Sequence, residues 1–181
     1  MTNALLIAGL PGAGKTSVAA ALSSQLHAPV LSTDHVRDES LLGPSSDRLL
    51  SSEPYQWVAQ EMRRMVDARI PWVIIDSSLV QRPWIRNNIA ATAEQLTTRG
   101  DCRALRIWLQ CSPEVLASRI RARSHGLESA EQIERRVANM LAMVQLAATG
   151  PGSFGESIDV THMELPQVIE SVFVLVRDRL Q

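Results

Sequence analysis

Lysine is almost absent from this 181-residue chain. The 18 basic residues are 17 arginines and a single lysine, Lys15. The planar guanidinium fork of arginine cannot replace a compact ammonium that must fit inside a tight loop. The one retained lysine therefore indicates a position where this shape is required, against the alternative that its placement is due to chance.

An excess of charge of one sign is also missing, because the formal net charge is only -1. Such a chain has no overall positive field that would attract nucleic acid, so only a local basic groove could do so. The charge balance favours a small substrate. It makes a long nucleic acid an unfavoured partner without excluding it.

Cysteine and long apolar runs are scarce as well. Cys102 and Cys111 have no metal-ligand spacing and are too few for a disulfide framework, so we expect a reducing, cytoplasmic setting. No apolar run approaches the roughly 18 residues of a membrane span, and no basic leader precedes the first apolar stretch. Neither export nor membrane insertion is expected.

Apolar runs alternate with helical patterns along the whole chain, which is typical of βαβ units and a parallel sheet. We predict one domain over residues 1–181. The predicted strands are 4–8, 29–32, 72–75, 104–109 and 157–160, and the predicted helices are 15–26, 55–68, 83–98, 113–123, 129–147 and 166–179. Residues 42–54 and 149–157, rich in Ser, Pro and Gly, are predicted to be loops.

The strongest motif is GLPGAGKT at residues 9–16, which fits G-x-x-x-x-G-K-[ST] between an apolar strand and a helical pattern. Glycines allow successive N–H groups to converge on phosphate oxygens at a positive helix end. Lys15 would neutralise the β- and γ-phosphates, and Thr16 would offer its hydroxyl to Mg²⁺. The predicted ATP-binding residues here are Gly9, Leu10, Pro11, Gly12, Ala13, Gly14, Lys15, Thr16 and Ser17. A glycine turn without a ligand is the alternative.

The sequence STDHVR at residues 32–37 begins at the end of the second predicted strand, beside the expected phosphate site. Asp34 could accept a proton from a substrate hydroxyl or orient it, and Arg37, one helical turn on, could hold the acceptor. The plainer interpretation is that Asp34 only caps the next helix.

The third predicted strand ends in Asp76, as expected of a Walker B carboxylate that helps to hold Mg²⁺ directly or through water. The signal has limited specificity, because many buried strands end in an aspartate that caps the following helix. We favour the metal role over the capping role.

Three arginines follow the fourth strand, at positions 119, 121 and 123. Arg119 and Arg123 share a helix face, whereas Arg121 points elsewhere. Together with a glycine hinge at residue 126, this pair could form a lid over about residues 119–130 that contacts ATP and stabilises the transferring γ-phosphoryl. A solvated helix face is the alternative.

These motifs together resemble the small P-loop kinases related to nucleoside monophosphate kinases. The resemblance covers nearly the whole chain and is closest to the AAA-type kinases that include polynucleotide 5′-hydroxyl kinase, gluconate kinase, chloramphenicol phosphotransferase and zeta-toxin-like domains. It is carried by GLPGAGKT at 9–16, STDHVR at 32–37, VIIDSS at 73–78, LQCSPEVLASRIRAR at 109–123 and IDVTHMELPQVIESV at 158–172.

The resemblance implies a three-layer α/β/α sandwich, a five-stranded parallel sheet of order 2-3-1-4-5 and a small helical lid. It also implies that Asp34 acts as the base, that Arg37 contacts the acceptor, and that Arg119 and Arg123 belong to the lid. The expected activity is ATP- and Mg²⁺-dependent phosphoryl transfer to a hydroxyl of a small molecule. The alternatives are a polynucleotide or nucleoside 5′-hydroxyl kinase and a non-kinase regulatory NTPase. The motifs N-K-x-D, D-x-x-G and LSGGQ are absent from the sequence, which disfavours a GTPase or transporter ATPase.

Overall fold

The computed structural model of the chain describes residues 1–38, 53–77, 83–124, 126–147 and 155–180. Five strands and seven helices lie in these ranges. The strands are β1 (Thr2–Gly9), β2 (Val30–Ser32), β3 (Trp72–Asp76), β4 (Cys102–Gln110) and β5 (Glu156–Asp159). The helices are α1 (Lys15–Leu26), α2 (Thr33–Asp38), α3 (Glu53–Asp67), α4 (Pro83–Thr98), α5 (Pro113–Ser124), α6 (Ala130–Ala147) and α7 (Leu165–Leu180).

The strands form one sheet of order β2-β3-β1-β4-β5, in which every neighbouring pair is parallel. The longest pairing joins β1 to β4, from Thr2 opposite Cys102 to Gly9 opposite Leu109. Strand β2 lies at one edge and pairs with β3 over three residues only. Five parallel strands in the predicted order, with helices on both sides, confirm the predicted P-loop NTPase fold.

The core is built around β1, whose residues Ala4 to Ala8 are all fully buried. A central strand covered on both faces is expected to be continuously apolar, as this run is. Helix α1 packs with α7 on one face of the sheet, and α3 packs with α4 on the other. No helix in the described ranges is both long enough and apolar enough to span a membrane.

The structure differs from the sequence prediction mainly around the second strand. Helix α2 was not predicted as an element, because TDHVRD is polar and too short to show an apolar period. Helix α3 already begins at Glu53, inside the predicted loop 42–54, and places Pro54 in its first turn, where a missing N–H costs nothing. In the predicted loop 149–157, Glu156 and Ser157 belong to β5. Residues 42–52 and 149–154 lie outside the described part.

Candidate active site

The carboxyl ends of the parallel strands bring the predicted site residues to one edge of the sheet. The P-loop follows β1, Asp34 lies in the first turn of α2 directly after β2, and Asp76 is the last residue of β3. In open parallel sheets, ligands bind at this edge. Short strand-to-helix connections therefore place the phosphate-binding backbone beside the two carboxylates.

The P-loop is shaped by two of its glycines. Gly14 is the N-cap of α1 and has a φ of 91°, a left-handed conformation that side chains disfavour. Gly9 approaches β4 so closely that an added Cβ would lie 2.7 Å from the carbonyl oxygen of Leu109. The loop is closed by a hydrogen bond of 3.1 Å from the N–H of Ala13 to the carbonyl oxygen of Leu10. Helix α1 thus begins at Lys15 with its N-terminus at the site.

Lys15 is the first residue of α1, and only 7% of it is exposed. Its Nζ donates a hydrogen bond of 3.2 Å to the carbonyl oxygen of Leu10. Burial lowers the pKa of Lys15, the charges of Asp76 and Asp34 oppose that effect, and the nearby charge of Arg123 adds to it. A buried ammonium held in reach of two carboxylates and a third charged side chain is the centre of the site.

Thr16 and Asp76 are in direct contact. The Thr16 hydroxyl donates a hydrogen bond of 2.8 Å to Oδ2 of Asp76. Burial raises the pKa of Asp76, whereas the charge of Lys15 and the hydrogen bond from Thr16 lower it. This pair of oxygen donors is the set that the sequence predicts for Mg²⁺.

The Thr16–Asp76 pair fits magnesium better than it fits a metal held by protein alone. Within the described ranges, no group of three or more His, Cys, Asp or Glu side chains could hold a metal ion. Mg²⁺ usually binds one or two protein oxygens together with substrate phosphates and water. One hydroxyl and one carboxylate beside a phosphate-binding loop match that pattern.

Asp34 is exposed on α2, and its charge acts on both Lys15 and Asp76. The preceding residue, Thr33, is fully buried, and its hydroxyl lies 3.2 Å from that of Ser77. This contact ties the start of α2 to the end of β3. The Thr33–Ser77 pair could not be predicted from the sequence, because isolated hydroxyl residues after two separate strands form no motif. The side chain of Arg37 lies outside the described part.

The three arginines of α5 lie in different surroundings. Arg119 is half-buried and donates hydrogen bonds to backbone carbonyls, including that of Gly12 in the P-loop. Arg123 is exposed near Lys15. Arg121 points away from them, as the helical spacing predicts, and forms a bidentate pair with Glu134 of α6 at 2.7 and 2.9 Å. Roles of Arg119 and Arg123 in catalysis stay predictions.

The predicted lid, about residues 119–130, covers the second half of α5 and the segment that leads to α6. Ser129 and Gln132 form a reciprocal cap at the start of α6, with hydrogen bonds of 2.9 and 3.2 Å. Arg136 of α6 pairs with Glu128 in the segment that precedes this helix. In the described residues, these bonds hold the start of α6 in place. Closure of the lid segment over a nucleotide stays a prediction.

A comparison with protein families agrees with this geometry. A family model described as an AAA domain, AAA_33, matches residues 5–147, which include the P-loop, Asp34, Asp76 and helix α5. The chain belongs to the AAA_33 family. No curated protein sequence matches it significantly.

Several solved structures with similar folds are named as kinases. A gluconokinase from Sinorhizobium meliloti has a TM-score of 0.60 at 18% identity, covering 98% of this chain and 93% of that one. A shikimate kinase from Acinetobacter baumannii, in complex with shikimate, has a TM-score of 0.65 at 15% identity, covering 100% and 97%. A sugar kinase from a Janibacter species has a TM-score of 0.65 at 17% identity, covering 99% and 96%. The fold of this AAA_33 member is thus that of the small P-loop kinases.

Proposed function

We propose that this AAA_33 protein is an ATP-dependent phosphotransferase that moves the γ-phosphoryl group to a hydroxyl of a small molecule. The observation that carries the proposal is the position of Asp34, in the first turn of α2 at the carboxyl edge of the sheet. Asp34, directly after β2, and Asp76, the last residue of β3, both act through their charges on the buried ammonium of Lys15. A nucleotide-binding module needs a phosphate loop and a metal carboxylate, whereas a kinase also needs a group that orients the acceptor hydroxyl, and the exposed carboxylate of Asp34 would fill that role.

The residues that would hold ATP and Mg²⁺ are those of the loop and its neighbours. Backbone N–H groups of the P-loop and of the first turn of α1, together with the Lys15 ammonium, would bind the β- and γ-phosphates. Thr16 and Asp76, whose oxygens lie 2.8 Å apart, would hold Mg²⁺. Bound there, the metal would supply positive charge next to the phosphate oxygens. That charge would stabilise the negative charge that builds on the β-phosphate as the transferring group leaves it.

The acceptor would lie on the Asp34 side of the loop. Asp34 would orient the acceptor hydroxyl and accept its proton as the oxygen attacks the γ-phosphorus. The new bond joins that oxygen to phosphorus, the bond between the γ-phosphorus and the β-phosphate oxygen breaks, and ADP leaves. Arg37 would hold the acceptor, and Arg123 would contact the phosphates.

A small hydroxyl compound is the acceptor class we favour. A gluconokinase, a shikimate kinase and a sugar kinase share this fold over nearly its whole length. The net charge of -1 does not provide the positive field that binds a nucleic acid backbone. These points support a polyol or hydroxy acid over a polynucleotide end.

The test is turnover of Mg·ATP with a panel of sugars, sugar acids, hydroxy acids, nucleosides and an oligonucleotide with a free 5′-hydroxyl. We expect one of the first three classes to stimulate ADP formation and to be recovered as a phosphate ester. Asp34→Asn should lower kcat by roughly 100-fold or more, since a general base typically contributes about 10² to 10⁴.

Asp178→Asn is the matched control, because Asp178 is an exposed aspartate on α7, on another part of the fold. That variant should turn over ATP like the wild type. ATP loss that is independent of every acceptor and unchanged in Asp34→Asn would refute the phosphotransferase proposal. Stimulation by the oligonucleotide alone would replace the small acceptor with a polynucleotide end.

A further inference from the structure

The guanidinium of Arg119 joins three strand-to-helix connections at the carboxyl edge of the sheet. Its Nη1 lies 3.5 Å from the carbonyl oxygen of Gly12, in the loop after β1, and 3.8 Å from Sγ of Cys111, just after β4. Its Nη2 donates hydrogen bonds of 3.3 Å to the carbonyl oxygens of Val160 and Met163, after β5. One side chain thus contacts all three connections on the β1-β4-β5 side of the sheet.

The partners of Arg119 are all uncharged in the part of the chain that the structure describes. Three are backbone carbonyls, and the fourth is a thiol that burial keeps protonated by raising the pKa of Cys111. The guanidinium of a surface arginine normally donates hydrogen bonds to water or to a carboxylate. A half-buried guanidinium that satisfies its donors on backbone carbonyls fixes the positions of those carbonyls, since its five N–H groups have a rigid fork geometry.

Helix α5, which carries Arg119, contacts Gly12 in a second way. A Cβ placed on Gly12 would lie 3.1 Å from the carbonyl oxygen of Leu116, which is one helical turn before Arg119. Helix α5 therefore packs its backbone against Gly12 and also donates a side-chain hydrogen bond to its carbonyl. The position of Gly12 in the P-loop therefore depends on α5 through both its backbone and the Arg119 side chain.

The loop after β5 has its own internal support. The N–H of Val160 donates to the carbonyl of Gln110 at 2.8 Å, and the N–H of Ser112 donates to the Thr161 hydroxyl at 3.0 Å. These bonds connect the loop to the end of β4 but not to the P-loop. In the described ranges, Arg119 connects the loop after β5 to the P-loop, through its contacts with Val160 and Met163 in the first and with Gly12 in the second.

We propose that Arg119 is a positioning residue, which holds the P-loop in its phosphate-binding conformation by tying it to the loop after β5 before any nucleotide is bound. This inference rests on the proposed nucleotide site and changes the predicted role of one of its arginines. Charge stabilisation of the transferring phosphoryl group would then fall to Arg123, the exposed arginine near Lys15.

The first test is amide hydrogen exchange of the protein without nucleotide, in the wild type, Arg119→Ala and Arg119→Lys. The informative amides are Ala13, in the P-loop, and Val160 and Met163, in the loop after β5. We expect exchange at both loops to become roughly 10- to 100-fold faster in both variants, the effect of losing hydrogen bonds to a charged group. Lysine keeps the charge and the aliphatic stem but cannot span three connections.

Arg121→Lys and Arg121→Ala are the matched controls, because Arg121 lies on the same helix and its contacts go to Glu134 of α6. They should leave exchange in both loops at the wild-type rate. Thermal unfolding of each variant identifies any variant that has lost its fold, and the lysine variant keeps the test usable if the alanine variant does not fold.

The second test separates positioning from catalysis by the split between KM and kcat. In Arg119→Lys we expect the KM for ATP, and the Kd for ADP, to rise at least tenfold while kcat at saturating ATP stays within about threefold. Unchanged exchange in the unliganded variants, or a loss carried by kcat with an unchanged KM, would overturn the proposal. The exchange and ADP-binding measurements need no acceptor, so they remain decisive even if the phosphotransferase proposal fails.

Discussion

At the residue scale, the site depends on how burial and charge act on Lys15 and Asp76. Burial alone disfavours both charged forms, lowering the pKa of the lysine and raising that of the aspartate, and each side chain's charge opposes the effect on the other. A polyphosphate bound at the loop would bring negative charge to Lys15 and favour the ammonium. A metal between Thr16 and Asp76 would likewise favour the carboxylate.

This balance predicts a pH dependence. Asp76 must be ionised to bind the metal, and burial raises its pKa above the ordinary 3.8. The kcat/KM for Mg·ATP should therefore be full above the raised pKa and fall as the pH decreases through it, with a midpoint above 3.8. The measurement is kcat/KM across the acid range, with circular dichroism to confirm that the protein stays folded.

Thr16→Val should move this midpoint to a still higher pH, because the Thr16 hydrogen bond lowers the pKa of Asp76. Thr16→Ser keeps a hydroxyl at the same position and is the matched control. A midpoint that is identical in Thr16→Val and Thr16→Ser would contradict the assigned coupling.

At the element scale, the sequence was sufficient wherever an apolar period or a glycine motif is long enough to be seen. The predicted start and end of α1 and α4 agree with the structure, and each of the five strands was predicted within a few residues. Helix α2 was missed, because a six-residue polar helix has no apolar period and is specified by its contacts with α3.

The same limit applies to the site. The positions of Lys15, Thr16, Asp34 and Asp76 at one edge of the sheet could be predicted, because each stands at a fixed place in a motif or at a strand end. The partners of Arg119 could not, because backbone carbonyls such as those of Val160 and Met163 are the same for any residue type. The sequence therefore specified which side chains belong to the site better than what holds them.

The packing of the P-loop against β4 predicts that Gly9→Ala is severely destabilising. The new Cβ would meet the carbonyl oxygen of Leu109 at 2.7 Å, at a φ of +153°. Overpacking typically costs about 1 to 3 kcal/mol in addition to the backbone strain. Denaturant unfolding should show this loss, and ATP affinity should fall with it.

Gly100→Ala is the control for backbone strain alone. Gly100 has a φ of +76°, no atom lies within 4 Å of the position of its Cβ, and it follows α4 far from the loop. We expect a loss of about 1 to 2 kcal/mol there, with unchanged ATP affinity. Equal destabilisation by the two substitutions would mean that the contact between Gly9 and β4 is not tight.

At the scale of the whole molecule, one sheet connects the phosphate site to most of the fold. The P-loop, Asp34 and Asp76 extend directly from β1, β2 and β3, and the family match over residues 5–147 includes all of them. The unfolded chain lacks these connections, so a ligand that needs them binds only the folded protein. Nucleotide binding should therefore stabilise the whole domain.

The expected size of this stabilisation follows from mass action. Mg·ATP at about 100 times its Kd contributes about 2.7 kcal/mol, which for a domain of this size raises the Tm by roughly 5 to 10 °C. Thermal unfolding with and without Mg·ATP measures this shift. Lys15→Ala should abolish it, and an undiminished shift in that variant would argue against a P-loop site.

The solitary, buried lysine also has a practical consequence for chemical labelling. Reagents that acylate primary amines can modify only the α-amino group and the Nζ of Lys15 in this chain. Because Lys15 is 7% exposed and lies in the phosphate loop, its acylation rate would report directly on the opening and occupancy of the nucleotide pocket. In a protein whose other 17 basic side chains are arginines, acylation of this one side-chain amine would thus report ligand binding.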